Sequence, residues 1–201
     1  MQTITRTYQV YTYDELSEKA KEKVKEWYID DPTRTDIFTE DIGYFLEENF
    51  AASYLEVQYS LSCAQGDGLN IYGKLYCCDM LDKIDWSDFS EKQQRFIRWA
   101  VSEFDSYAII PCNRHYCYCI ADKADFTGAL ADELENCCMR DINYVALGKF
   151  EAACIAYFEK LCGDFESEGY EYFYNPPEEE ISETCNANGW TFTADGNFFT
   201  L

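Results

Sequence analysis

Cys112, His115, Cys117 and Cys119 place four potential metal donors within eight residues. If this segment is a strand, residues 115, 117 and 119 share one face, where imidazole and thiolates can hold zinc. The C-x4-C-x-C spacing is not a usual zinc spacing, and no second cysteine knuckle answers it. Buried thiols are the competing reading, and no metal is assigned. His115 is the only histidine, so general acid or base work near neutral pH would rest on it or on a perturbed carboxylate. A cysteine nucleophile beside it is conceivable in three dimensions, but the spacing selects none. The chain has no G-x-S-x-G elbow, Walker loop, H-E-x-x-H helix or dinucleotide glycine fingerprint. The expectation is therefore a protein with no catalytic residue, no cofactor and no enzymatic activity.

A second candidate is Gln65-Gly66-Asp67-Gly68, set between alternating runs in YSLSCAQGDGLNIYGKLY. An EF-hand loop needs ligands at alternating positions and a closing Glu, and a phosphate loop needs a following Lys and Ser/Thr. Neither is present. Glycines that accept positive φ, and an aspartate that bonds nearby amides, favour a turn. Gln65 and Asp67 are kept as candidate interface residues, to be told from a purely structural role by whether their loss costs binding or stability.

The third feature is charge. There are 38 Asp and Glu against 16 Lys and Arg, a formal net charge of −22. From Leu161 onward no Lys or Arg occurs. Such a chain repels nucleic acid and steers basic partners toward itself. A solvated acidic surface that aids solubility is the plain alternative. The sharper reading is a decoy for a protein that normally grips phosphates. Its candidate contacts are Asp36, Glu40, Asp41, Glu47 and Glu48 on one helix, Asp30 and Asp31 before it, and Glu166, Glu168, Glu171, Glu178, Glu179 and Glu180 near the end. Eleven cysteines, an odd number, with no apolar leader at the start, read as reduced thiols in a cytosol. No apolar run approaches a membrane span.

These groups need elements to position them. Residues 3–13 alternate and predict a first strand. Leu16, Ala20, Val24, Trp27 and Tyr28 follow at helical spacing, with Ser17 as N-cap and Pro32 as a stop. A second helix is expected over 36–50, with Phe38, Ile42, Phe45, Leu46 and Phe50 inward. Leu55, Val57, Tyr59, Leu61 and Cys63 predict one strand face, joined by a five-residue connection to a return strand with Leu69, Ile71 and Leu75. A helix over 87–106 capped by Ser90 comes next, then a short strand, a break at Pro111 and another alternating strand through the cysteine cluster. Two helices are expected from Thr127 to about Tyr174, meeting near residues 140–144, with Leu130, Leu134 and Cys138 marking the first. A short helix from Glu178 ends at Gly189, and a hairpin turns at Asp195-Gly196. Strands interspersed with helices predict an α+β class, an antiparallel sheet built from hairpins and packed against amphipathic helices. The organisation expected is one domain over 1–201, with 176–201 as a C-terminal appendage.

Three segments, YTYDELSEKAKEKVKEWY, YSLSCAQGDGLNIYG and YEYFYNPPEEEISETCNANGWTFTADGNFF, together resemble a group of small acidic proteins encoded by bacteriophages and other mobile elements. They occur in the group's order and span nearly the whole chain. Cys63-Ala64 departs from the group's more usual aromatic-small pair. The resemblance brings no catalytic motif. It implies stoichiometric binding in a bacterial cytosol: an anti-CRISPR inhibitor that mimics nucleic acid, with a basic effector as partner, or an antitoxin-like protein that neutralises a basic toxin.

Overall fold

Ser17 starts the first helix, its Oγ accepting from the Ala20 N–H at 3.4 Å, and the helical period behind it carries α1 over Glu18–Ile29. The computed structural model describes residues 6–137 and 141–200. Among them are five further helices, α2 (Thr33–Asn49), α3 (Glu91–Glu103), α4 (Gly128–Asn136), α5 (Tyr144–Tyr174) and α6 (Glu178–Ala187), and three strands, β1 (Tyr54–Ser60), β2 (Gly68–Tyr76) and β3 (Tyr107–Ile110). The strands form an antiparallel sheet in the order β1-β2-β3. The class is α+β, as the alternation of periods requires. Two compact units result, Met1–Asp36 with Tyr170–Leu201, and Ile37–Gly169.

In the first unit α1 buries Ala20, Val24 and Tyr28 with Tyr13, Leu16, Ile181, Cys185 and Phe192. Trp27 covers this cluster, stacking on Phe198 at 4.8 Å and meeting Trp190 edge-on at 5.0 Å. Among the described residues, the cation buried within this unit is Arg34, 3% exposed. Its guanidinium lies between the rings of Tyr28 and Tyr172, at 4.3 and 4.2 Å. One nitrogen donates to Glu180 Oε1 at 3.0 Å, and the other donates to the Tyr172 carbonyl. The Tyr28 hydroxyl donates to the same Glu180 oxygen at 2.9 Å. A planar, permanently charged fork suits two stacked rings and two acceptors, which an ammonium cannot reproduce.

In the second unit α2 turns Phe38, Ile42 and Leu46 inward, with Phe50 just beyond its end. They share a core with Leu69, Ile71 and Leu75 of β2, with Ile97, Ala100 and Val101 of α3, and with Phe150, Cys154 and Phe158 of α5. The register pairs Val57 with Ile71 and Tyr59 with Leu69, so the expected inward faces of the hairpin do coincide.

Several expected boundaries move, each for a local reason. The expected strand over 3–13 is, in its described part, one bridge between Tyr11 and Phe192. Glu15 then accepts from the Thr12 N–H at 2.9 Å, and residues 13–15 turn. Helix α2 begins three residues early because Asp31 caps it, accepting from the Thr33 N–H and hydroxyl at 2.9 and 2.8 Å. The hairpin connection is seven residues, 61–67, and Cys63 leaves the strand with φ +59°. Segment 111–120 forms no strand. The C-terminal hairpin closes at Gly196, but only Phe192 and Phe198 bridge across it. Cys138 and Arg140 lie outside the described residues.

Arg34→Lys should lower the free energy of unfolding by about 2 kcal/mol, since both stacking contacts and one hydrogen bond go. Arg34→Leu should cost about 3 kcal/mol or more by leaving Glu180 uncompensated. Urea unfolding followed by tryptophan fluorescence checks both; equal stability of wild type and Arg34→Lys would show the fork to be dispensable.

Candidate functional site

Asn70 fixes the region that holds both the cysteine cluster and the glycine loop. It projects from the outer face of β2, yet it is 0% exposed, because segment 111–120 folds over it. Its Nδ2 donates to the Pro111 carbonyl at 3.1 Å, and its Oδ1 accepts from the Ile120 N–H at 3.2 Å. One side chain thus ties both ends of the excursion. Inside it Asn113 Oδ1 accepts from the N–H groups of His115 and Tyr116, and the Cys117 N–H donates to the Gly66 carbonyl at 2.9 Å. The backbone groups that a strand would have used are taken by side chains and the facing loop, which explains the missing strand.

The metal candidates diverge on this scaffold. Cys112 Sγ donates to Gln58 Oε1 at 3.2 Å, and Cys119 Sγ to the Phe158 carbonyl at 3.9 Å. Among the described residues no group of three His, Cys, Asp or Glu converges on a metal position. Cys119 instead meets Cys162 of α5, whose hydrogen bond favours the Cys119 thiolate and lowers its pKa, while that contact and burial raise Cys162.

In the glycine loop Asp67 works as an internal organiser. Its carboxylate accepts from Ser60 Oγ and from the N–H groups of Ser62 and Ala64, each at 2.7 Å. These bonds, that of Ser60 foremost, hold its pKa below the usual carboxylate value. Gly66 has φ +92°, and a Cβ there would lie 2.1 Å from the Tyr116 ring. The loop is a structural knot that leaves Ser62, Cys63, Ala64 and Gln65 exposed, and beside it segment 111–120 exposes the stacked pair Tyr116 and Tyr118, 5.6 Å apart.

The thirteen candidate carboxylates fall in both units. In the first, Glu178 pairs with Lys21 at 2.6 Å, Glu180 pairs with Arg34, and Asp31 caps α2. Asp30, Asp36, Glu171 and Glu179 are exposed there. In the second, Glu166 is half-buried and Glu168 exposed on α5, and Glu40, Asp41, Glu47 and Glu48 are exposed on α2. None of those four on α2 joins a salt bridge among the described residues.

Helical spacing sets Ile37, Asp41, Tyr44 and Glu48 in one row, with Glu40 and Glu47 beside it. Tyr44 is 66% and Ile37 48% exposed. Sequence reading selected the acids but passed over these two, whose signal was an apolar side chain on the polar side of an amphipathic period. Four charges over nine residues average one per about 3 Å of axis, close to the 3.4 Å charge spacing of a single nucleic-acid strand. They come as two pairs about 10 Å apart, flanking the tyrosine.

No protein-family model, curated protein or solved structure matches the chain. No helix among the described residues is long and apolar enough to cross a membrane.

The depressed Asp67 pKa has a definite sign. A folded value below the unfolded one stabilises above the unfolded pKa, and that contribution disappears as pH falls through the folded value. Asp67→Asn should therefore be less stable than wild type at pH 7, and the gap should close as pH falls from about 4. Thermal unfolding across pH checks this; a gap that is constant with pH would show that the carboxylate charge contributes nothing.

Proposed function

We propose that this protein is a stoichiometric anti-defence inhibitor of phage or mobile-element origin, acting in the bacterial cytosol. It occupies a basic nucleic-acid-binding groove of a host defence effector, of the CRISPR class, by acidic mimicry. The observation that carries this reading is the outer face of α2, where Glu40, Asp41, Glu47 and Glu48 stand exposed and, among the described residues, without a salt bridge, around an exposed Tyr44. Charge and aromatic surface have separate tasks there. Unpaired carboxylates accelerate encounter with a basic groove and exclude acidic competitors. A tyrosine, amphipathic and with few rotatable bonds, supplies the desolvated centre from which affinity comes.

The distribution of cations supports the same reading. Glu178 and Glu180 are spent on Lys21 and Arg34, so they hold the fold and are poorly placed to meet a partner. The α2 carboxylates have no such task, and their substitution should leave the fold intact. The resemblance to phage-borne acidic proteins points to the same class of activity.

Reversing the face with Glu40→Lys, Asp41→Lys, Glu47→Lys and Glu48→Lys should abolish inhibition of the effector while circular dichroism stays native. Tyr44→Ala alone should weaken binding about tenfold to a hundredfold, mostly through faster dissociation. Glu178→Gln should leave inhibition unchanged. Full inhibition by the reversed variant would remove α2 from the interface, and inhibition at far below one protein per effector would mark an enzyme instead.

A further inference from the structure

In the second unit Lys83, Lys149 and Lys160 line a groove of about 780 Å³ between the chain leading into α3 and the outer side of α5. Phe89, Tyr157 and Ala153 give it an apolar wall and floor. The volume is that of sites which enclose small organic ligands, about 300–1,000 Å³.

Two of these lysines, Lys83 and Lys149, are held by neutral oxygens rather than by carboxylates. Lys21, Lys23, Arg34, Arg98, Lys123 and Lys160 each face a carboxylate. Lys83 instead donates to the side-chain carbonyl of Asn49 at 2.8 Å. Lys149 donates to the backbone carbonyl of Asp88 and, at 3.4 Å, to Gln93 Oε1. A neutral oxygen fixes an ammonium without cancelling its charge, and each ammonium has three N–H donors. Both also lie over aromatic rings, Lys83 at 5.6 Å from the Phe50 centroid and Lys149 at 5.8 Å from that of Phe89, so part of their rotamer freedom is already lost. The aspartates of the groove are Asp85 and Asp88. Asp85 is turned into its own bend, accepting from the Ser87 N–H at 2.8 Å.

We propose that this groove binds a small organic anion with an apolar body, a carboxylate or sulfonate carried on an alkyl or aryl group. The anionic end meets Lys83 and Lys149, and the body lies against Phe89, Tyr157 and Ala153. Small size is part of the inference. A polyanion or a second copy of the chain meets the repulsion of the whole net charge of −22, whereas a monoanion within the groove meets chiefly the charges inside one Debye length, about 8 Å.

The test uses the full chain and two fluorescent probes of similar shape, anionic 8-anilinonaphthalene-1-sulfonate and neutral N-phenyl-1-naphthylamine. The anionic probe should bind saturably at one site, be displaced by decanoate and bind more tightly than the neutral one. Lys83→Gln or Lys149→Gln should weaken the anionic probe about tenfold and leave the neutral probe unchanged, a pattern that loss of structure would not give. Ala153→Trp should abolish binding of both by filling the floor. The proposal is overturned by absence of saturable binding, by equal affinity for the two probes, by insensitivity to all three variants, or by an acidic peptide that displaces the probe better than decanoate does.

Discussion

With 38 acidic side chains against 16 Lys and Arg, most carboxylates of this chain cannot be met by a cation, and the structure is organised around that shortage. Several aspartates are met by backbone N–H groups and hydroxyls instead of by cations. Asp67 knots the hairpin loop, Asp31 caps α2, Asp79 accepts from Ser53 Oγ at 2.6 Å, and Asp125 accepts from the Gly128 N–H at 2.6 Å. Each satisfies a backbone or hydroxyl donor that a turn would otherwise leave to water, and each charge-assisted bond is stronger than a neutral one. Cations make both local pairs, as Lys123 does with Asp122 and Lys160 with Asp164, and long-range ties, as Lys21 does with Glu178. Arg34 is the extreme case, joining α1, the start of α2, the end of α5 and α6 through two rings and two acceptors.

That division separates structural from available charge. A carboxylate that accepts from Ser60, Ser62 and Ala64, as Asp67 does, is committed to those bonds, and a partner would have to break them to use it. A carboxylate on the outer face of α2 keeps its hydration and its reach. Exposure alone would have ranked Glu178 with Glu47; the Lys21 pair is what distinguishes them.

Much of the fold was legible from period and punctuation. Ser17 and Ser90 both cap the helices expected of them, and the Val57 and Tyr59 face of the hairpin meets Ile71 and Leu69. What sequence could not supply were bonds between distant residues. The alternation through Cys117 and Cys119 reads as a strand until Asn70, more than forty residues earlier, takes the backbone groups at both ends of the segment. Asp67 read as a ligand or a turn because its donors, Ser60 at the end of β1 and Ser62 and Ala64 inside the loop, belong to a connection whose length was misjudged by two residues. Of the site, the acids of α2 were visible through helical spacing, while Tyr44 and the neutral tethers of Lys83 and Lys149 depend on exposure and on partners that no local window contains.

The most direct measurement is binding of the purified target effector as salt rises from about 50 to 200 mM, with and without the effector's own nucleic acid. Occupation of a basic groove by the α2 face predicts that affinity falls steeply with salt and that nucleic acid and this protein exclude each other. Binding that is indifferent to salt and leaves the nucleic acid in place would contradict it.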